Sequence, residues 1–324
     1  MINKYIPMAL LASLLASPAF AEENKAEAPS TPAPVFDKLE VNVTGEVRAF
    51  VEGSKATDHD LEVKSTETNL GINVKSKGTT YVFGHLSAAV DINGNGTDDV
   101  TTRYGYVGVG NAVFGELSIG KTKSIMEEFV NKTDVFYSAG NLGVQKTEKK
   151  MRNSMKYMNT VNDVSFGVQA QMTDDAQDKS IDLMQVGAGY MGLGVTIARD
   201  AVNDINWYGV GYSHTFMDKI LVAASYTIKN NAAISGASFM DTLKWDNSDT
   251  TGVTRGIEVA AGYNFTPSTQ ALIGYQDTDV VGDDGAVTTE LRHSVSKSAT
   301  AFTNVTYDID SEDYVYRAGV SVTF

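Results

Sequence analysis

The sequence predicts an all-β fold, a sixteen-stranded antiparallel transmembrane β-barrel. Three observations predict it. Apolar and polar residues alternate with period two in one segment after another. Most of these segments run about eight to fifteen residues, roughly what a tilted strand needs to cross a bilayer. The connections alternate between short turns and longer loops rich in Asp, Asn and Gly.

The chain opens with the features of a targeting segment over residues 1–21. Lys4 supplies a positive start, YIPMALLASLLA an apolar centre and Ala19-Phe20-Ala21 a small-x-small cleavage site. Cleavage after Ala21 removes one lysine and no acid, leaving 25 basic and 40 acidic residues and a formal charge of −15. A chain this acidic does not bind nucleic acid by counterion release. It has no cysteine, so an exported form is not stapled by disulfides. After residue 21 no apolar run approaches eighteen residues, which excludes a membrane-spanning helix. Residues 22–37 hold three of the mature chain's four prolines and read as an extended segment, either a tether or a tail that enters the barrel.

From residue 38 the period is two. Leu39, Val41, Val43, Gly45, Val47, Ala49 and Val51 share one face; Glu40, Asn42, Thr44, Glu46, Arg48, Phe50 and Glu52 share the other. The run exceeds the usual strand of a soluble sandwich. Leu70, Ile72 and Val74 lead to a KSKG turn, and Val82, Leu86, Ala88 and Val90 follow. Tyr104 and Tyr106 are assigned to the apolar face before a GNAVFGE turn, then Leu117 and Ile119, then Met155 and Tyr157. Val164, Phe166, Val168, Ala170 and Met172 stand opposite Ser165, Gly167, Gln169 and Gln171. Five more segments centre on Val186, Val195, Val210, Val222 and Val259; then come Ile273, a weakly patterned stretch over 286–296, Val305 and the terminal Tyr314–Phe324 run. Sixteen segments place both ends of the barrel on the short-turn side. Aromatic residues near segment ends (Tyr190, Tyr263, Phe265, Tyr307, Phe324) suit a membrane interface. Lipid offers no hydrogen bonds, so such a sheet closes on itself, and sixteen strands enclose water.

Residues 101–157 are the organising stretch: two strands, then an insert of about thirty residues without clean alternation. The insert carries Glu127, Glu128 and Asp134; its flanks carry Arg103, Lys150, Arg152 and Lys156. Arginine facing lipid at mid-depth costs about 2–4 kcal/mol, so Arg48, Arg103 and Arg152 are expected to face inward. An insert folded inward then sets acids against a basic wall, and the resulting field filters solutes by charge. The net charge favours cations at the mouth; the basic wall opposes this.

Catalysis and metal binding find little support. There is no G-x-S-x-G, no H-E-x-x-H and no glycine-rich phosphate loop, and the four histidines are scattered. Asp91-Ile92-Asn93-Gly94-Asn95-Gly96 matches the first half of a calcium loop, but its twelfth position is Thr102 and no helices flank it. Neither an enzyme nor a cofactor is expected.

TRYGYVGVG at 102–110, FGELSIGK at 114–121, K-x-R-N-S-M-K-Y at 150–157 and RAGVSVTF at 317–324 resemble the general bacterial porins of Gram-negative outer membranes, most like those of marine gammaproteobacteria. The resemblance spans roughly residues 38–324. It implies a homotrimeric sixteen-stranded barrel set in lipid and lipopolysaccharide, whose third extracellular loop, here about 122–149, folds into the lumen. It implies a constriction of loop acids Glu127, Glu128 and Asp134 facing Arg48, Arg103, Lys150, Arg152 and Lys156. Phe324 is similar to the signal read by the barrel assembly machinery. The Pro-Glu-Phe-Gly-Gly signature of enterobacterial porins is absent, and Glu127-Glu128-Phe129 is a loose echo of it. The implied function is passive diffusion of ions and small hydrophilic solutes. A structural or adhesive barrel binding host or phage fits the same pattern, as does a substrate-specific porin. A sugar-specific channel would need a run of aromatics along the lumen, which Phe50 and Phe83 alone do not make.

Overall fold

A computed structural model describes residues 39–56, 58, 60–66, 68–90, 100–137, 147, 149–172, 181–231, 252–279 and 285–324. The targeting and proline-rich segments, His59 and most of the Asp91–Thr102 stretch lie outside these residues. The described strands are β1 (Leu39–Ser54), β2 (Glu62–Ser65), β3 (Asn69–Ser76), β4 (Thr80–Val90), β5 (Val100–Asn111) and β6 (Gly115–Lys123). A short helix, α1 (Ile125–Phe129), precedes β7 (Lys150–Val161). Then follow β8 (Val164–Met172), β9 (Ile181–Tyr190), β10 (Leu193–Asp200), β11 (Ile205–Phe216), β12 (Ile220–Asn231) and β13 (Val253–Thr266). The last are β14 (Thr269–Thr278), β15 (Ala286–Ser294), β16 (Ala299–Asp308) and β17 (Asp313–Thr323).

From β3 onward each strand pairs antiparallel with the next, and β17 returns to β1, with Glu46 opposite Thr323 and Ser54 opposite Val315. Both β2 and β3 pair with β1, one above the other, over Ala49–Glu52 and Leu39–Glu46. They form a single stave, so the barrel has sixteen, the number the alternation predicts. The seam ends where Phe324 N–H donates to Gly45 O at 3.1 Å and Gly45 N–H donates to Phe324 O at 2.9 Å.

The two faces separate as the period-two pattern requires. Val43, Val107 and Ile197 are 57%, 67% and 60% exposed. Arg48, Lys156, Gln169, Gln185, Glu258 and Glu290 are buried. A belt of exposed aliphatic side chains around a closed sheet is the outer surface of a barrel in lipid. Among the described residues no helix is long and apolar enough to cross a membrane.

Two bulges change the reading of the organising stretch. In β5, Tyr104 pairs with Ser87 and Thr102 with Ala88, so Arg103 is the extra residue of a bulge. The extra residue restarts the alternation. Val107 and Val109 face outward, while Tyr104 and Tyr106 line an interior cavity with His85. Their assignment to the apolar outer face is therefore corrected. In β7, Ser154 pairs with Gly120 but Met151 pairs with Thr122, so Arg152 and Asn153 oppose one residue. Asn153 takes φ +46° to make this bulge.

Candidate functional site

The segment after β6 carries an apolar stripe that its many charges conceal in the sequence. Ile125, Met126, Phe129 and Val130 are buried together with Met151, Leu183 and Trp207. A helix leaves its first N–H groups without intrahelical partners. Here the barrel wall supplies them. Gln169 Oε1 on β8 accepts from Ile125 N–H, and Gln185 Oε1 on β9 accepts from Met126 N–H, both at 3.0 Å. Ser124 caps the helix by accepting from Glu127 N–H at 3.1 Å. Farther along, Ser225 on β12 donates to Val130 O at 2.6 Å, Thr133 donates to Glu258 on β13, and Tyr137 N–H donates to Glu290 on β15 at 3.0 Å. The segment thus lies along the polar face from β8 to β15.

Close approach is possible because the wall beneath is glycine. A Cβ at Gly194 would stand 2.0 Å from Phe129 O, and one at Gly211 would stand 2.2 Å from Val130 O. Gly187 and Gly189 lie under the Phe129 ring, and Gly209 under Val130. Backbone lies on backbone there, and any side chain would displace the segment.

At the far end the segment meets arginines. Arg48 on β1 donates to Tyr137 O and to Glu46 Oε1, the latter at 3.1 Å through Nε. Arg292 on β15 donates to Val135 O and to Glu290. The two guanidinium carbons lie 4.4 Å and 3.9 Å from the centre of the Tyr137 ring, within cation–π range. A cavity of about 490 Å³ opens between segment and wall. Arg48, Arg103, Lys150 and Arg292 line it from the wall, and Glu127, Asp134 and Tyr137 from the segment. A second cavity, of about 440 Å³, lies against β4–β7 and is lined by Glu128, Lys156, Lys123 and Glu116 among others.

The family model described as Gram-negative porin matches residues 8–314. The chain belongs to the Gram-negative porin family. Solved structures agree at the level of fold. An anion-selective porin from Comamonas acidovorans is 12% identical, with TM-score 0.68, covering 89% of this chain and 100% of that one. OmpT of Vibrio cholerae lacking loop L8 is 17% identical, with TM-score 0.64 and the same coverage. OmpF of Salmonella typhi, in complex with daunomycin, is also 17% identical, with TM-score 0.64, 89% of this chain and 99% of that one covered.

In this porin the residues singled out from sequence divide between the two cavities. Arg48, Arg103, Lys150, Glu127 and Asp134 share the first. Glu128 and Lys156 share the second, where Lys156 Nζ lies 2.9 Å from Glu128 Oε1 and Lys123 Nζ lies 3.6 Å from Glu128 Oε2. Burial alone would raise the Glu128 carboxyl, but the charges of Lys156 and Lys123 outweigh it and hold it below its ordinary value. Lys149 answers the acids from their own side, 3.1 Å from Asp134 and 3.9 Å from Glu127. Arg152 does not join either group. It sits exposed on the β7 bulge, and the inward position it was expected to hold is taken by Met151. Phe324 ends the seam, its ring lying over Gly45.

Sequence reasoning passed over Arg292, Lys123, Lys149 and Tyr137. Arg292 was legible, because it alternates with Leu291 and shares its face with Glu290. It went unread because segment 286–296 carries so few apolar residues. Tyr137 had no such signal, since its position depends on the path of an insert with no repeating pattern.

Proposed function

We propose that this outer-membrane porin forms a water-filled pore for passive diffusion of ions and small hydrophilic solutes, with the segment after β6 as its inward-folded constriction loop. The observation that carries the reading is the cavity with Glu127, Asp134 and Lys149 on one side and Arg48, Arg103, Lys150, Arg292 and Glu46 on the other, an acidic excess facing a basic one. Charges fixed on opposite sides of a narrow passage create a transverse field, which orders water and favours small polar solutes over apolar ones. Lys156 and Glu128 act one step away: their ion pair holds the loop helix against β7. No catalysis is assigned to the protein.

The export signal, cleaved after Ala21, delivers the chain to the outer membrane, and Phe324 serves as its assembly signal. Three copies assemble, as in the trimer form of Vibrio cholerae OmpT. The test is a planar bilayer record of the purified protein. Large conductance steps in groups of three are expected; silence over many insertions would end the pore reading.

A further inference from the structure

We infer that the passage selects small anions over cations, and that Lys149 on the loop sets this sign. This rests on the pore reading and names a solute class for it.

The chain as a whole points the other way, with a formal charge of −14. A charge acts only near where it stands. At ~0.1 M salt the screening length is about 10 Å. Asp308, Asp310 and Glu312 are exposed at the β16–β17 turn, and β17 leaves that turn beside the end of β1, where Ser54 pairs with Val315. From Ser54 to Arg48 is six residues of β1, about 20 Å of strand. Two screening lengths leave little of the rim's negative charge at the cavity that Arg48 lines.

Two neighbouring groups of charges balance. Near the end of β1, Arg317 lies 2.6 Å from Glu52 and Lys64 lies 3.2 Å from Glu62, two bases and two acids. In the cavity against β4–β7, Lys123 and Lys156 answer Glu116 and Glu128. The cavity of the passage does not balance. Arg48, Arg103, Lys149, Lys150 and Arg292 line it with Glu46, Glu127 and Asp134, five bases against three acids and a sum of +2. Glu290, its side chain fully buried beside Arg292, brings the acids to four and the sum to +1.

Ion pairing within the cavity rearranges these charges without changing their sum. Three of the five bases are arginines, which keep their charge at any working pH. Low-dielectric walls focus the field of such an excess and raise the local concentration of the counterion, here an anion. Lys149 is the base that the loop itself brings to the cavity, 3.1 Å from Asp134 and 3.9 Å from Glu127. Without it, and with Glu290 counted, four bases would meet four acids. The wall supplies the positive charge, and Lys149 keeps the loop acids from cancelling it.

The test is the zero-current potential of the purified protein in a planar bilayer, under a potassium chloride gradient centred on about 0.1 M. Chloride should be the more permeant ion. Lys149→Glu moves the local sum by two charges and should lower the chloride-to-potassium permeability ratio about twofold or more. Lys149→Gln should fall between that variant and the wild type. Potassium preference in the wild type would overturn the anion assignment and leave the pore reading intact. An unchanged ratio in Lys149→Glu would overturn the part given to Lys149. Crystals soaked in rubidium bromide locate the counterion without requiring conduction. Bromide in this cavity is expected; rubidium there, or neither ion, would overturn the assignment. Absence of conduction would strike the pore reading, and the soaked crystals would still decide which ion the cavity concentrates.

Discussion

The guanidinium of Arg292 stacks on the ring of Tyr137, 3.9 Å from its centre, and joins two parts of the chain 155 residues apart in sequence. Arg48 reaches the same ring at 4.4 Å, so the end of the segment after β6 is held between β1 and β15. Exposed cation–π contacts contribute about 0.5–1 kcal/mol, more when water is excluded. The two arginines therefore clamp the segment from β1 and β15, and in the proposed pore they also place charge in the passage.

Replacing Arg48 and Arg103 with glutamine should move the zero-current potential toward cation preference, since positive charge leaves one side of the passage. Adding Arg292→Gln should extend the shift and raise current noise as Tyr137 loses its second clamp. Reversal potentials in a salt gradient read the first effect and single-channel records the second. An unchanged potential would mean that these arginines serve only the wall.

Gly194→Ala places a methyl group where Phe129 O now lies, 2.0 Å away. The loop must lift while the strand pairing survives. The expected result is altered conductance with barrel stability intact, read by single-channel recording beside the heat-dependent gel shift of the folded barrel. Unaltered conductance would place the loop helix away from this floor.

Gln185→Leu removes the acceptor for Met126 N–H from a fully buried site. An orphaned buried donor costs about 1–3 kcal/mol. The loss should appear as faster proteolysis within residues 122–149, with the barrel itself resistant.

Glu128 makes the loop's position pH-dependent with a defined sign. Its carboxyl lies below the ordinary 4.5 in the folded protein. A depressed folded value means the pairing with Lys156 and Lys123 contributes fully above 4.5 and is lost as pH falls through the lower folded value. Conductance of the wild type should therefore hold steady down to 4.5 and change only in more acidic solution. Glu128→Gln should abolish that acid step.

Phe324 closes the seam by its backbone and covers Gly45 with its ring. Deleting it should lower the amount of folded trimer in the outer membrane several-fold, measured on unheated gels. The same deletion should leave refolding in detergent largely unaffected if the residue acts in assembly rather than stability.

Much of this was legible before any coordinates. The wall repeats one local rule, apolar out and polar in. A strand in lipid that breaks the rule pays at every residue, so the pattern of β1, β8 and β13 stands written in the chain. The cost of arginine in lipid likewise turned Arg48 inward from sequence alone. The rule failed where a single extra residue resets the alternation. The bulge at Arg103 turned Tyr104 and Tyr106 from outer face to lumen, and the bulge at Arg152 gave its place to Met151. Bulges arise from pairing with a neighbouring strand, and no residue type announces them.

The sequence by itself therefore determined the barrel, the number of its staves and the inward place of Arg48. Only the tertiary structure decided the path of residues 124–137. That path rests on Gln169 and Gln185 meeting a helix forty to sixty residues away, on glycines of β9–β11 thin enough to admit backbone, and on two arginines closing over Tyr137. Local periodicity is enforced by the surrounding lipid residue by residue, whereas the loop's place is set by long-range partners that come together only once the barrel has closed.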